Sequence, residues 1–151
     1  MIITTLNRIR AHDPCADGWS KLLKHLGKSK ADDEPLPYAV ILESNGLADT
    51  TWCCRAEPQY AKEWRLYAVW CVRQVRHLMK DERSIHALDV AERHAHGEAS
   101  DYELAEAAEA AAGAVVWSAG AAARSTEEVK QTEEFLRIVN GGNNDGANND
   151  A

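Results

Sequence analysis

No run of apolar residues in this chain approaches the roughly 18 needed to cross a bilayer. The opening MIITTLNRIR has no long apolar segment leading to a small-residue cleavage site, which predicts no signal peptide. There is no C-x-x-C pair, no Gly-rich phosphate loop, no GxSxG and no HExxH. The best-marked routes to zinc sites, nucleotide binding, serine hydrolysis and metalloprotease chemistry are therefore missing. Cysteine is sparse as well: Cys15, Cys53, Cys54 and Cys71. Adjacent Cys53 and Cys54 make a poor disulfide framework, and three of the four sit in apolar, helix-like surroundings. The expectation is free buried thiols in a reducing cytosol.

Basic charge is scarce in one region only. The net charge is −7. Residues 1–97 hold 14 Lys and Arg against 13 Asp and Glu, whereas residues 98–151 hold 3 against 11. Direct nucleic-acid binding through a basic surface is thus disfavoured, and a basic protein partner suits the acidic third.

At 151 residues the chain suits a single domain with a core of its own. The stretch Glu63–Lys80 carries Trp64, Tyr67, Ala68, Cys71, Val72, Val75, Leu78 and Met79 at offsets of three and four. That spacing draws an apolar stripe down a helix over about 60–80, and its two tryptophans predict the buried centre of the fold. Before it, residues 2–11 read as a short helix with Ile2, Leu6 and Ile9 on one side. Asp13-Pro14 reads as the start of a second helix, which Gly27 stops. A third starts at Pro37 and ends at Asn45-Gly46; Val40–Leu42 as a buried strand would lack a β-rich partner. A fourth covers about 47–56, with Leu47, Thr51 or Trp52, and Cys54 inward, and is closed by Pro58. Ser84 suits an N-cap for a helix with Ile85, Leu88, Ala91 and Ala95 inward and Gly97 as its stop. Ser100 and Glu103 match a capping box, after which an Ala-rich helix follows. There Gly113 and Gly120 lie on one face. Thr126 begins a last helix through Leu136 or Val139, with Val129, Phe135 and Leu136 as its apolar residues. The expectation is an all-α, single-domain bundle of about seven helices over 1–139, with a disordered tail over 140–151. Trp52-Cys53-Cys54-Arg55 is echoed by Trp70-Cys71-Val72-Arg73, as if two helices offered the same packing to one core.

Candidate chemistry is thin. Cys53, Cys54 and Cys71 with His77, His94 and His96 include zinc-ligand types, but adjacent cysteines on a helix point about 100° apart. His86 and His94 share a face about 12 Å apart, too far for one metal ion or joint catalysis. His94 and His96 read more simply as cations near a helix C-terminus. Cys15 has no His/Asn context for a nucleophile. No catalytic residue, cofactor or metal is expected. The remaining candidates are acidic: Asp101, Glu103, Glu106 and Glu109 on the penultimate helix, and Glu127, Glu128, Glu133 and Glu134 on the last. Solubility alone accounts for such rows; on rigid helices they can also occupy a basic groove.

The segments LADTTWCCRA (47–56), RLYAVWCVRQVRHLM (65–79) and RSIHALDVAERHAHGEASDYEL (83–104), with the Ala-rich stretch after them, resemble a widespread family of small helical proteins. That family is found in bacteriophages, prophages and other mobile elements, and some of its members are labelled immunity proteins. The resemblance covers about residues 6–124. It carries no catalytic motif to transfer; the Ala/aromatic stretch is shorter here, and the Asn/Gly tail departs from the family. It implies a mobile-element accessory protein in the bacterial host cytoplasm. By analogy with anti-CRISPR proteins, the expected function is non-enzymatic inhibition of a defence component through the acidic helices. The alternatives are neutralisation of a toxin and, from a different class, a Cys/His metal protein or enzyme. A homodimer through the Ala-rich helix is a further expectation.

Overall fold

The computed structural model describes residues 1–111 and 126–142. Its regular secondary structure among the described residues is helical apart from one two-stranded ladder of two residues per strand. The chain is all-α, as the helical periodicities indicate. It divides into two compact units, residues 1–59 with 132 onward, and residues 60–131.

In the first unit, β1 (Ile3–Thr4) pairs antiparallel with β2 (Leu36–Pro37), Ile3 opposite Pro37 and Thr4 opposite Leu36. The expected helix over 2–11 is therefore only α1 (Leu6–Arg10). Ile2 and Thr4 are buried alternately, as on a strand, and the Ile2 amide donates to Val139 O at 2.6 Å. Those pairings hold the backbone extended until the Thr5 hydroxyl accepts from the Arg8 amide and starts the helix. α2 (Ala16–His25) does not start at Asp13-Pro14. Asp13 is in the left-handed region at φ 54°, and Cys15 is the cap, its Sγ accepting from the Gly18 amide at 3.4 Å.

α3 (Tyr38–Asn45) starts and stops where Pro37 and Asn45-Gly46 indicate. α4 (Leu47–Cys53) is shorter than expected and passes into a 3-10 turn at Cys54–Ala56. Its inward residues are Thr50 and Cys53 rather than Thr51 or Trp52 and Cys54. The Thr50 hydroxyl donates back to Gly46 O, which fixes that face. α8 (Thr126–Val139) contributes its last turns to this unit. Phe135 is fully buried, its ring 6.2 Å from that of Tyr38, and the Tyr38 hydroxyl donates to Cys53 O. Ile138 and Val139 are also buried, while Val129, expected inward, is 59% exposed.

Of the expected tail, residues 140–142 are described. Gly141, at φ 91°, closes α8 with its amide on Ile138 O, and the Gly142 amide reaches Arg137 O. This is a complete Schellman turn, and its left-handed residue favours glycine. Residues 143–151 lie outside the described residues, as do Gly113, Gly120 and the rest of the Ala-rich segment over 112–125.

In the second unit, α5 (Ala61–Gln74) is capped at Val75 and followed by a 3-10 turn at Arg76–Leu78. The long central helix is thus interrupted. Its buried residues are Leu66, Tyr67 and Val69; Ala68 and Val72 face out, and Trp64 and Trp70 are half-buried. The inward face is turned from the apolar stripe because Arg73 joins it: its guanidinium meets Asp89 at 3.2 Å and also pairs with Glu92. The most deeply buried large side chains (Tyr38, Phe135, Leu6, Ile9 and Ile41) all belong to the first unit. α6 (Glu82–Ala95) is capped by Asp81, not by Ser84, which is buried in the first turn. Ser84, Leu88, Val90 and Ala95 are its buried residues, with Ile85 and Ala91 half-buried. Gly97 stops it as expected, and α7 (Asp101–Ala111) follows. The Trp-Cys echo does not serve one core. Cys53 is buried in the first unit and Cys71 half-buried in the second, and Arg55 stacks on Trp52 while Arg73 forms ion pairs.

Candidate functional site

The eight acidic candidates do not behave as one set. The Glu127 side chain lies outside the described residues, and Asp101, Glu103 and Glu134 hold the fold. The Ser100 hydroxyl accepts from the Glu103 amide at 3.2 Å, and Glu103 Oε2 accepts from the Ser100 amide at 2.8 Å, completing the capping box. Those bonds from Ser100 hold the Glu103 carboxyl below its usual range, with Arg93 adding to the effect. Asp101 Oδ1 lies 2.6 Å from His94 Nε2, whose Nδ1 lies 2.7 Å from Arg65 Nη1. A guanidinium has only hydrogens to offer, so Nδ1 accepts and the imidazole proton sits on Nε2, donating to Asp101. Asp101 and Glu103 thereby tie the start of α7 to the end of α6. On α8, Glu134 takes two bonds from Arg137, at 2.8 and 2.6 Å.

Glu106, Glu109, Glu128 and Glu133 are exposed. Glu106 and Glu109 gain a neighbour that the charge pattern alone did not single out. Tyr102 is 75% exposed, the largest exposure of any aromatic among the described residues. With Glu106 and Glu109 it occupies positions i, i+4 and i+7, so the three fall within about 60° of one another on the helix. The opposite side of α7 carries Leu104, Ala107 and Ala111, of which the two alanines are fully buried and Leu104 is half-buried. An aromatic ring in line with two carboxylates on one helix face is suited to a cationic surface: the ring supplies contact area at little entropic cost, and the carboxylates supply charge. A helical projection of DYELAEAAEAA would have brought Tyr102 to light.

The Cys/His set is dispersed. Cys53 and Cys54 belong to the first unit, and Cys71, His77, His94 and His96 to the second. All four cysteines are free thiols. Burial pushes Cys53 and Cys54 up to about 12, so at neutral pH both remain protonated and unreactive. No group of three or more His, Cys, Asp or Glu among the described residues could hold a metal ion. No helix among them is long and apolar enough to cross a membrane.

No protein family, curated protein or solved structure matches the chain.

Proposed function

We propose that the protein is a non-enzymatic accessory protein of a phage or other mobile element that binds and inhibits a component of a bacterial defence system, in the manner of an anti-CRISPR protein. It acts in the host cytoplasm by covering a basic surface of its target. The observation that carries this reading is the outward face of α7, where exposed Tyr102 shares one stripe with exposed Glu106 and Glu109. Exposed aromatics that anchor interfaces lose about 2 kcal/mol or more of binding when truncated, equivalent to about 30-fold in affinity. Charge around such an anchor steers a basic partner and rejects an acidic one. The mobile-element setting rests on the resemblance of the 47–104 segments, and Glu127, Glu128 and Glu133 on α8 are candidates for a secondary contact.

The test is capture of bound protein from a bacterial lysate by the tagged full chain, followed by affinity measurement with the captured partner. The expected result is a defence component whose binding falls about 30-fold with Tyr102→Ala and is abolished by Glu106→Lys with Glu109→Lys. Capture of a toxin would replace this reading with an immunity role. Undiminished binding by the charge-reversed protein would remove α7 as the interface.

A further inference from the structure

The first unit holds a feature unrelated to the acidic helices: a partly open cavity of about 140 Å³ where α1, α2, α3 and α4 meet. Ile9, Trp19, Leu22, Ile41 and Trp52 supply its apolar lining, and exposed Cys15 stands at its edge. Asp49 is the one charged residue in the lining.

The placement of that carboxylate is built rather than incidental. Asn45 Nδ2 donates to Asp49 Oδ2 at 2.9 Å and to Gly18 O at 2.8 Å, while the Ser44 hydroxyl donates to Asn45 Oδ1 at 2.7 Å. Asn45 is thereby locked in one orientation and holds the carboxylate against the backbone of α2. Gly18 makes this approach possible, since a Cβ there would lie 2.8 Å from Asp49 Oδ2 and 3.1 Å from Cys15 Sγ. Asp49 Oδ2 is occupied; Oδ1 accepts no hydrogen bond from the described residues. The two indoles are braced as well. The Arg10 guanidinium lies 5.5 Å from the Trp19 ring centre, and that of Arg55 lies 4.2 Å from the Trp52 ring centre. Neither arginine lines the cavity. After burial, the charge of Asp49 is the next cause of the raised Cys53 thiol, so its negative field reaches the cavity wall.

We propose that this cavity binds a small organic ammonium, its cation on Asp49 Oδ1 and its apolar body against Trp19 and Trp52. The volume sets the size of that body, because an apolar cavity of about 150 Å³ accepts a single benzene ring. The carboxylate sets the charge. A partly enclosed anion with an open lone pair is matched by an N–H⁺ donor, and indoles favour cations that approach their rings. The ligand class is therefore one-ring or short-chain amines, distinct from the protein partner of α7.

The full chain, labelled with ¹⁵N, is titrated with benzylamine, toluene and benzoate, which share one ring and differ in charge. Benzylamine is expected to shift the indole N–H signals of Trp19 and Trp52 and the amides of Gly18 and Asp49 at millimolar concentration. Toluene is expected to bind about tenfold more weakly, the worth of one hydrogen bond to a charged group, and benzoate not to bind. Asp49→Asn should bring benzylamine to the level of toluene and leave toluene unchanged. The ligand series on the unaltered protein stands without that variant should it fail to fold. Toluene binding as tightly as benzylamine, shifts scattered away from these residues, or no shift at millimolar benzylamine would each overturn the proposal.

Discussion

Glu57 is the residue whose environment departs furthest from its sequence context. It lies between Ala56 and Pro58, where a charged side chain reads as solvated, yet it is 0% exposed. Burial raises its pKa, and the hydrogen bond from Arg8 opposes this, joined by Thr4 and Gln59; the net result is a carboxyl held below its usual value of 4.5. Arg8 Nη1 and Gln59 Nε2 each donate to Oε2 at 2.5 Å. Because the folded value is the lower one, the unfolded chain binds the proton first on acidification. The stabilisation is complete above the unfolded value and is lost as pH falls through the folded one. Glu57→Gln should cost about 1–3 kcal/mol at neutral pH and flatten the loss of stability below pH 4.5. Arg8→Ala removes the largest lowering influence, so the carboxyl of the variant moves upward and less of its stability is lost on acidification. Thermal melts at neutral and acidic pH check this: the gap between Arg8→Ala and the parent should narrow as pH falls. A constant gap would show that Arg8 does not govern Glu57. Nothing local marks this pair, whose members are 49 positions apart.

At the scale of elements, helix ends were legible where backbone geometry demands one residue type, and ambiguous where several types can serve. Gly27, Gly46 and Gly97 all take positive φ at the stops expected of them. At the other end several residue types can cap. Asp81 and Ser84 stand three residues apart and both can cap; the structure uses Asp81, whose carboxylate accepts from the Arg83 amide. Ser84 is left buried with no hydrogen-bond partner for Oγ among the described residues. The two readings predict opposite effects. As a cap, Ser84→Ala would cost about 1 kcal/mol; as a buried hydroxyl without a partner, its removal is neutral or stabilising. The expected outcome in urea unfolding is no loss for Ser84→Ala and a loss of about 1 kcal/mol for Ser100→Ala, which does remove a cap. Equal losses would return the cap to Ser84. The shift of the buried face on α5 has a related cause. Periodicity of apolar residues identifies a helix, but an arginine paired with acids on the next helix can claim part of the inward side, as Arg73 does. The candidate site was legible in the same partial way: the carboxylates were visible, but not which of them the fold consumes.

For the whole molecule, composition and period established an all-α chain but not where its deepest packing lies. Trp64 and Trp70 point to α5 by bulk, but bulk is not depth, and the deepest side chains include Tyr38 and Phe135. The reason is long-range closure. The first unit is assembled from residues 1–59 and from 132 onward, so its core is completed by the last turns of α8. Ile2 and Val139, joined backbone to backbone, are 137 positions apart, and no local pattern reports such a pairing. This discontinuity has a measurable consequence. Phe135→Ala should cost about 3–5 kcal/mol, the usual toll for emptying a buried aromatic site. If the two units unfold separately, native-state hydrogen exchange will quicken at Ile9, Ile41 and Thr50 in the first unit, while Leu66 and Leu88 in the second keep their protection. If the chain unfolds as one cooperative domain, amides limited by global unfolding in both units will lose protection by the same amount. The variant thus distinguishes a single-domain bundle from two units sharing α8.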